Sequence, residues 1–304
     1  MKIICPKCKN PYRTSDNSSR SIRKFGFFYR ISDRKKVQRF YCKLCSLHFS
    51  VATLSFCYRQ KKRQINHRVA RQLVSGTSQR ECARLMKINR KTVVRKFIFM
   101  AERAKLTLEK LNKKRPSIAQ LEFDDLETFE HTKCKPISVT LAVESKSRWI
   151  VGYEVASMPA KGLIAKLSVK KYGKRHDGRS TARKKLFGRI QKYIASEADI
   201  KSDQNPHYVT DVQRFFPRSR HYRYKGRRGC VVGQGELKAG GSDPLFSLNH
   251  TCAMARYRIS RLIRRTWNTT KKMEMLDLHF ALMSLHHNLS LKETSLLRGR
   301  TATG

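Results

Sequence analysis

Apolar and polar positions fall into several distinct rhythms along this chain. Near the N-terminus, 25–31 and 37–41 read as short strands. Residues 64–73 and 78–86 then carry helix-spaced apolar positions, with Cys82, Ala83, Leu85 and Met86 on the second stretch, and a third helix is predicted from Arg90 to about Leu111. Three alternating or continuously apolar runs follow at 121–126, 137–143 and 149–155, the pattern of successive strands. A helical, very basic region covers 159–195. A short strand at 198–202 leads into Asp203, 206–216 is helical, 222–232 is a basic strand or loop, and 243–265 is a long helix.

Turn chemistry sharpens these boundaries. Ser75-Gly76-Thr77 breaks the first helical pair. Ser78 followed by Glu81 is a capping box that opens the next helix, because each side chain can satisfy a backbone N–H the helix start leaves unpaired. Asn89 caps the helix that starts at Arg90. Helix, short turn and helix match a helix-turn-helix, whose second helix needs long cationic and hydroxyl side chains near its N-terminus to reach bases and phosphates. Arg90, Lys91, Thr92 and Arg95 meet that need, although a solvated helical hairpin has the same pattern. The Lys- and Arg-rich, Pro-marked stretch 113–120 is the predicted linker between this unit and the strands beyond it.

Composition narrows the chemistry. The chain has 304 residues, 67 Lys and Arg against 22 Asp and Glu, and a formal net charge of +45. Such an excess points to a polyanionic partner and makes neutral small-molecule metabolism a poor first reading. With 39% hydrophobic residues the chain has enough apolar material for a core. No apolar stretch approaches a bilayer span, and Met1–Cys5 opens no signal-peptide core, so an intracellular, cytoplasmic protein without membrane partners is expected.

Nine cysteines are an odd number, and four of them form two Cys-x-x-Cys pairs, Cys5/Cys8 and Cys42/Cys45. Two residues between thiolates let both sulfurs reach one tetrahedral ion, and two such pairs close a structural zinc site. A chance pairing or a redox dithiol is the plainer alternative. The predicted unit is a zinc ribbon, 1–57, that takes folding energy from its metal. The helix-turn-helix follows at 58–112.

The acids are scarce, so their grouping matters. Glu122, Asp124, Asp125, Glu127 and Glu130 fall within nine positions, where chance places fewer than about one. A divalent metal site explains such a concentration; local neutralisation of Lys and Arg also does. Three strands, helix, strand, helix, strand, helix is the order of an RNase H-like α/β (α+β) sheet, predicted here for 121–290 with a basic insert at 160–195 and a loose tail at 291–304. In that order Asp124 and Asp203 lie on neighbouring central strands. Two such carboxylates can bridge two Mg2+ or Mn2+ ions about 3.5–4 Å apart, the arrangement of phosphodiester chemistry.

The last helix adds Asn249-His250-Thr251, Arg256, Arg258, Arg261, Arg264 and Arg265. Together with Phe123-Asp124-Asp125-Leu126 and Ser202-Asp203, this resembles bacterial insertion-sequence transposases of the Asp-Asp-Glu/Asn class. These carry a zinc ribbon and a helix-turn-helix ahead of an RNase H-like core. The resemblance implies a DNA transposase that binds the terminal inverted repeats of its element and catalyses metal-dependent strand cleavage and transfer, acting as a multimer on double-stranded DNA of element ends and target. It implies Asp124 and Asp203 as the first two catalytic residues. The third is Asn249, which has Arg256 seven residues on, with Glu236 and His250 as alternatives. An Asn oxygen is a neutral ligand, weaker than a carboxylate, so a catalytically inactive DNA-binding or regulatory protein stands as the second reading. Arg227, Arg228, Arg261, Arg264 and Arg265 are expected to contact DNA phosphates.

Overall fold

The structure is a computed structural model that describes residues 3–12, 21–225, 243–263 and 268–301, with backbone only for 295–301. The chain divides into two compact units, 1–68 and 69–304.

The first unit is a three-stranded antiparallel sheet in the order β1-β2-β3, formed by β1 (Ile22–Arg30), β2 (Lys35–Cys42) and β3 (Leu47–Ser50). β2 buries Phe40 and Cys42 on one face and Val37 nearer its start. Ile22, Phe40, Cys42, Phe49 and Cys5 form one small apolar cluster. A core of this size is too small to stabilise a fold without a staple. Asp33, at the β1–β2 turn, is held by Arg30 at 2.6 Å and by Arg63 at 2.9 Å.

Helix α1 (Asn66–Leu73) crosses the boundary into the second unit. Gly76 follows in the left-handed region at φ +76°, where a Cβ would meet the Tyr257 carbonyl at 3.2 Å, and its N–H donates to the Arg258 carbonyl at 2.9 Å. Helix α2 (Gln79–Leu85) is capped by Ser78, whose hydroxyl accepts from the Glu81 N–H. Helix α3 (Arg90–Asn112) is capped by Asn89, whose side chain accepts from the Lys91 N–H. Both caps sit at the predicted positions, since these orphan N–H groups have no other partner at a helix start.

The main sheet has five strands in the order β6-β5-β4-β7-β8. They are β4 (Ile118–Phe129), β5 (Pro136–Glu144), β6 (Ile150–Ser157), β7 (Ile194–Asp203) and β8 (Arg220–Tyr224). β4, β5 and β6 run antiparallel in succession, while β7 and β8 are parallel to β4. This is the mixed, RNase H-like α/β sheet that the order of elements predicts. β4 starts at Ile118, inside the expected linker.

Helices α4 (Ala165–Tyr172), α5 (Arg179–Ile190) and α6 (His207–Phe215) precede and follow β7. The expectation of an insert at 160–195 needs correction. α5 is part of the core, because Leu186, Phe187 and Ile190 are buried against Phe123, Ala142 and Val151 of the sheet. At Gly152 the approach is so close that a Cβ would meet Leu186 Cδ1 at 2.8 Å and Ile190 Cγ2 at 2.9 Å. The basic residues of this stretch disguise a helix whose buried face is narrow.

On the other face lie α7 (Phe246–Arg258) and α8 (Met273–Thr301). The expected long helix 243–265 is shorter at both ends: it starts at Phe246 and stops at Arg258, where buried Ile259 is extended. α8 continues through positions expected to be a loose tail. No helix among the described residues is long and apolar enough to cross a membrane.

β6 is an edge strand with unpaired backbone groups, and two asparagines satisfy them. Asn288 of α8 accepts from the Ile150 N–H and donates to the Ile150 carbonyl, both at 2.9 Å. A bulge leaves Val151 without a register partner, and its carbonyl accepts from Asn112 Nδ2 at 2.8 Å. Asn112 Oδ1 accepts from Trp149 Nε1 at 2.8 Å, which ties the end of α3 to the sheet. Asn112→Ala leaves two buried groups unpaired and is expected to cost about 2–4 kcal/mol, read by urea unfolding, whereas Lys113→Ala at the exposed helix end is expected to be near neutral.

Candidate metal and phosphodiester site

The two Cys-x-x-Cys pairs converge. All four sulfurs of Cys5, Cys8, Cys42 and Cys45 lie within 4.8 Å of one another, with Cys5–Cys45 and Cys8–Cys42 each at 3.5 Å. A tetrahedral zinc with Zn–S bonds near 2.3 Å needs sulfurs about 3.8 Å apart, so the donor set fits one ion. Burial raises the Cys5 pKa, but the N–H groups of Cys8 and Lys7 and the neighbouring thiols bring it down to about 7, while burial and the Cys5 thiol push Cys45 up to about 12, so the first thiolate of the cluster forms at Cys5.

The second constellation is built on the central strands of the main sheet. The parallel register pairs Leu121 with Ile200 and Glu122 with Lys201, so continuing two residues sets Asp124 opposite Asp203. Neighbouring strands are about 4.8 Å apart, which brings the two carboxylates onto the same face and within reach of a shared ion. Burial and the Asp203 charge push Asp124 up to about 7. Asp124 Oδ1 accepts from the Asp125 N–H at 2.7 Å and from the Tyr208 hydroxyl at 3.0 Å. Among the described residues Oδ2 takes no hydrogen bond, leaving an acceptor for a ligand. Asp203 Oδ1 accepts from the Asn205 N–H at 2.9 Å in the turn that leads into α6.

Strand alternation sends the neighbouring acids elsewhere. Asp125 points to the α5 face, where it accepts from the Thr140 hydroxyl and lies 3.6 Å from Arg183. Arg183 also bonds Asp211 at 2.9 Å, and its guanidinium sits 5.0 Å from the Tyr208 ring centre. Burial, with the carboxylates of Asp125, Asp124 and Asp203, raises the Tyr208 pKa, so the hydroxyl stays protonated and donates. Glu122 is buried and accepts from the Leu248 N–H at 2.8 Å, in the first turn of α7. A carboxylate there satisfies an orphan donor and meets the positive end of the helix. Tyr208, Arg183 and Glu122 were not singled out by sequence. Only the density of acids around Asp124 hinted at Glu122.

α7 carries Asn249, the residue expected at the third position. Asn249, Cys252 and Arg256 share one helix face by spacing. Cys252 is pushed up to about 12 by burial, with Arg256 lowering it and Asp124 raising it. Asn249 Nδ2 donates to Asp243 at 2.8 Å, which fixes the amide and leaves its oxygen as the acceptor. His250 turns elsewhere. Its Nε2 accepts from Arg148 at 3.2 Å, and burial plus that cation lower its pKa. Glu236, Arg227, Arg228, Arg264 and Arg265 lie outside the described residues.

Among the DNA-binding candidates, Arg90, Lys91 and Arg95 are exposed at the start of α3, with Thr92 half-buried. Arg261 is a correction. Its guanidinium lies 5.9 Å from the Phe97 ring centre, its Nε is buried without a partner, and burial lowers its pKa to about 10. Arg261 is therefore half-buried against an aromatic ring of α3 and is not a freely solvated cation.

No family model matches the chain, and no curated protein does. Among solved structures, the Mos1 strand transfer complex is similar at 8% identity and a TM-score of 0.24, over 70% of this chain and 73% of that one. A pre-cleavage Mos1 transpososome is similar at 8% identity and a TM-score of 0.20, over 70% and 74%. Likeness this loose carries no argument, and the fold rests on the chain's own sheet order.

Three outcomes follow from the geometry. A chelator that strips the four-cysteine site is expected to abolish hydrogen-exchange protection across β1–β3 and leave β4–β7 unchanged. The raised Asp124 pKa stabilises the metal-free fold at low pH, and this contribution is lost as pH rises from about 4 through about 7. Asp124→Asn is therefore expected to melt a few degrees above the parent at pH near 8 without metal. Mn2+ affinity, followed by electron paramagnetic resonance, is expected to fall roughly tenfold per pH unit below about 7, as binding must displace the Asp124 proton.

Proposed function

We propose that this chain is a DNA transposase of an insertion sequence, cutting DNA and joining 3′-hydroxyl ends to target phosphates with divalent metal. The observation that carries the reading is the juxtaposition of Asp124 and Asp203 on adjacent parallel strands, where the Asp203 charge raises the cost of ionising Asp124. A chain of net charge +45 has no evident reason to hold two carboxylates in mutual repulsion except to bind cations.

Asp124 and Asp203 are the metal-holding residues, with the Asn249 oxygen as the third donor. Mg2+ or Mn2+ bound there supplies activation of a water or 3′-hydroxyl and stabilisation of the leaving oxygen. Tyr208 orients Asp124 through its hydroxyl, and the buried Arg183–Asp211–Asp125 network holds Tyr208 in place. Glu122 fixes the start of α7 against the sheet, so that Arg256 faces the same region and neutralises a phosphate. In the N-terminal part, zinc on Cys5, Cys8, Cys42 and Cys45 stabilises the ribbon. Arg90, Lys91, Thr92 and Arg95 contact the terminal repeat, and the protein works as a homo-oligomer on DNA in a prokaryotic cytoplasm. A second reading, a DNA-binding protein without cleavage activity, is favoured by one observation: the third donor is a neutral, exposed asparagine.

Purified protein with Mg2+ or Mn2+ and a DNA carrying the element's end is expected to nick and join strands. Asp124→Ala and Asp203→Ala should each lower the rate by at least about a thousandfold while DNA binding at matched salt stays within twofold. Cleavage by either variant at the parental rate sinks the assignment; binding without cleavage by the parent supports the second reading. Asn249→Glu, which supplies a charged ligand, is expected to tighten Mn2+ binding.

A further inference from the structure

One face of the ribbon sheet has a composition that folding does not ask for. Alternation turns Ile22, Phe40, Cys42 and Phe49 inward around the cysteines, and the outer face should therefore be polar. Instead it carries three rings in mutual contact. Phe25 lies 4.6 Å from His48 between ring centres, Tyr41 lies 4.7 Å from His48, and Phe25 lies 6.4 Å from Tyr41. Phe25 is 39% exposed and His48 is also exposed. Arginines flank the group: Arg23 sits 5.0 Å from the Tyr41 ring centre and Arg39 5.3 Å from that of Phe25.

The surrounding hairpin is strongly cationic. Residues 22–42 contain Arg23, Lys24, Arg30, Arg34, Lys35, Lys36 and Arg39 against the single acid Asp33, which Arg30 and Arg63 already occupy. A bulge between Lys24 and Phe27, with Gly26 in the left-handed region at φ +64°, interrupts the β1–β2 pairing beside Phe25. Rings on an open sheet, between guanidinium groups, are the features that take unpaired bases: each base stacks on a ring while its phosphates meet the cations. A duplex keeps its bases stacked on each other and offers these rings nothing. Cross-strand aromatic pairs do stabilise sheets, but they need no flanking cations and no exposure.

We propose that the outer face of the ribbon, Arg23, Phe25, Arg39, Tyr41 and His48, binds single-stranded nucleic acid by stacking unpaired bases. This goes beyond the strand chemistry assigned to Asp124 and Asp203 and does not depend on it.

The test uses the full-length, zinc-loaded protein without magnesium, at roughly 0.5 M salt, where ionic attraction is screened within about 5 Å. A single-stranded oligonucleotide containing 2-aminopurine is titrated beside the same sequence as a duplex. The parent is expected to quench the single-stranded probe on binding. The double variant Phe25→Leu, Tyr41→Leu keeps apolar bulk without stacking surface. It is expected to retain zinc, to lose about tenfold in single-strand affinity, and to change duplex affinity less than twofold. Phe25→Trp is expected to bind single strands at least as tightly as the parent. Absence of quenching with the parent overturns the proposal whether or not the variants fold. So does an equal loss for single strand and duplex, or a Trp variant as weak as the Leu variant.

Discussion

Two like charges held side by side organise the second unit. Asp124 and Asp203 face each other because β4 and β7 run parallel in register, and their repulsion is an electrostatic cost that a proton on Asp124 or a bound metal ion removes. Much of the surrounding structure keeps that arrangement from relaxing. Tyr208 and the Asp125 N–H both grip Asp124 Oδ1, and a turn at Asn205 grips Asp203. The ring of Tyr208 in turn lies against the Arg183 guanidinium, itself neutralised by Asp211 and Asp125 in a buried network. A carboxylate held by neutral donors keeps its charge for a ligand.

The acid cluster around Asp124 is therefore a set of different devices. Alternation along β4 sends Glu122 and Asp124 to the α7 face and Asp125 to the α5 face. Glu122 closes the N-terminus of α7, Asp125 anchors Arg183, and Glu127 pairs with Lys161 at the surface. Only Asp124 remains oriented toward Asp203. Among these acids Glu122, Asp125 and Glu127 each have a distinct partner, in a chain with a large surplus of cations.

The first unit is organised by a different interaction. Its apolar cluster is small, and the four converging sulfurs give it a staple that burial cannot supply. An ion held by those sulfurs would free the outer face from the need to pack.

Elements with strong local signals were legible in the sequence. Ser78 and Asn89 announced their helices because a capping side chain acts on N–H groups two or three residues away. Cys-x-x-Cys spacing is equally local, and the alternation of 137–143 marks a strand, although packing buries its polar positions Ser138 and Thr140 as well. The pairing of Asp124 with Asp203 was also legible, through the order of strands. Tertiary structure alone decided what depends on contacts between distant segments. Basic α5 hides a core face that shows only against Gly152, Arg261 folds onto Phe97, and His250 turns to Arg148. Glu122, Tyr208 and Arg183 matter through partners 126, 84 and 28 residues away. No local pattern encodes such separations. A residue's intrinsic chemistry is written in its side chain, but its charge, orientation and partner are set by whichever surfaces folding brings against it.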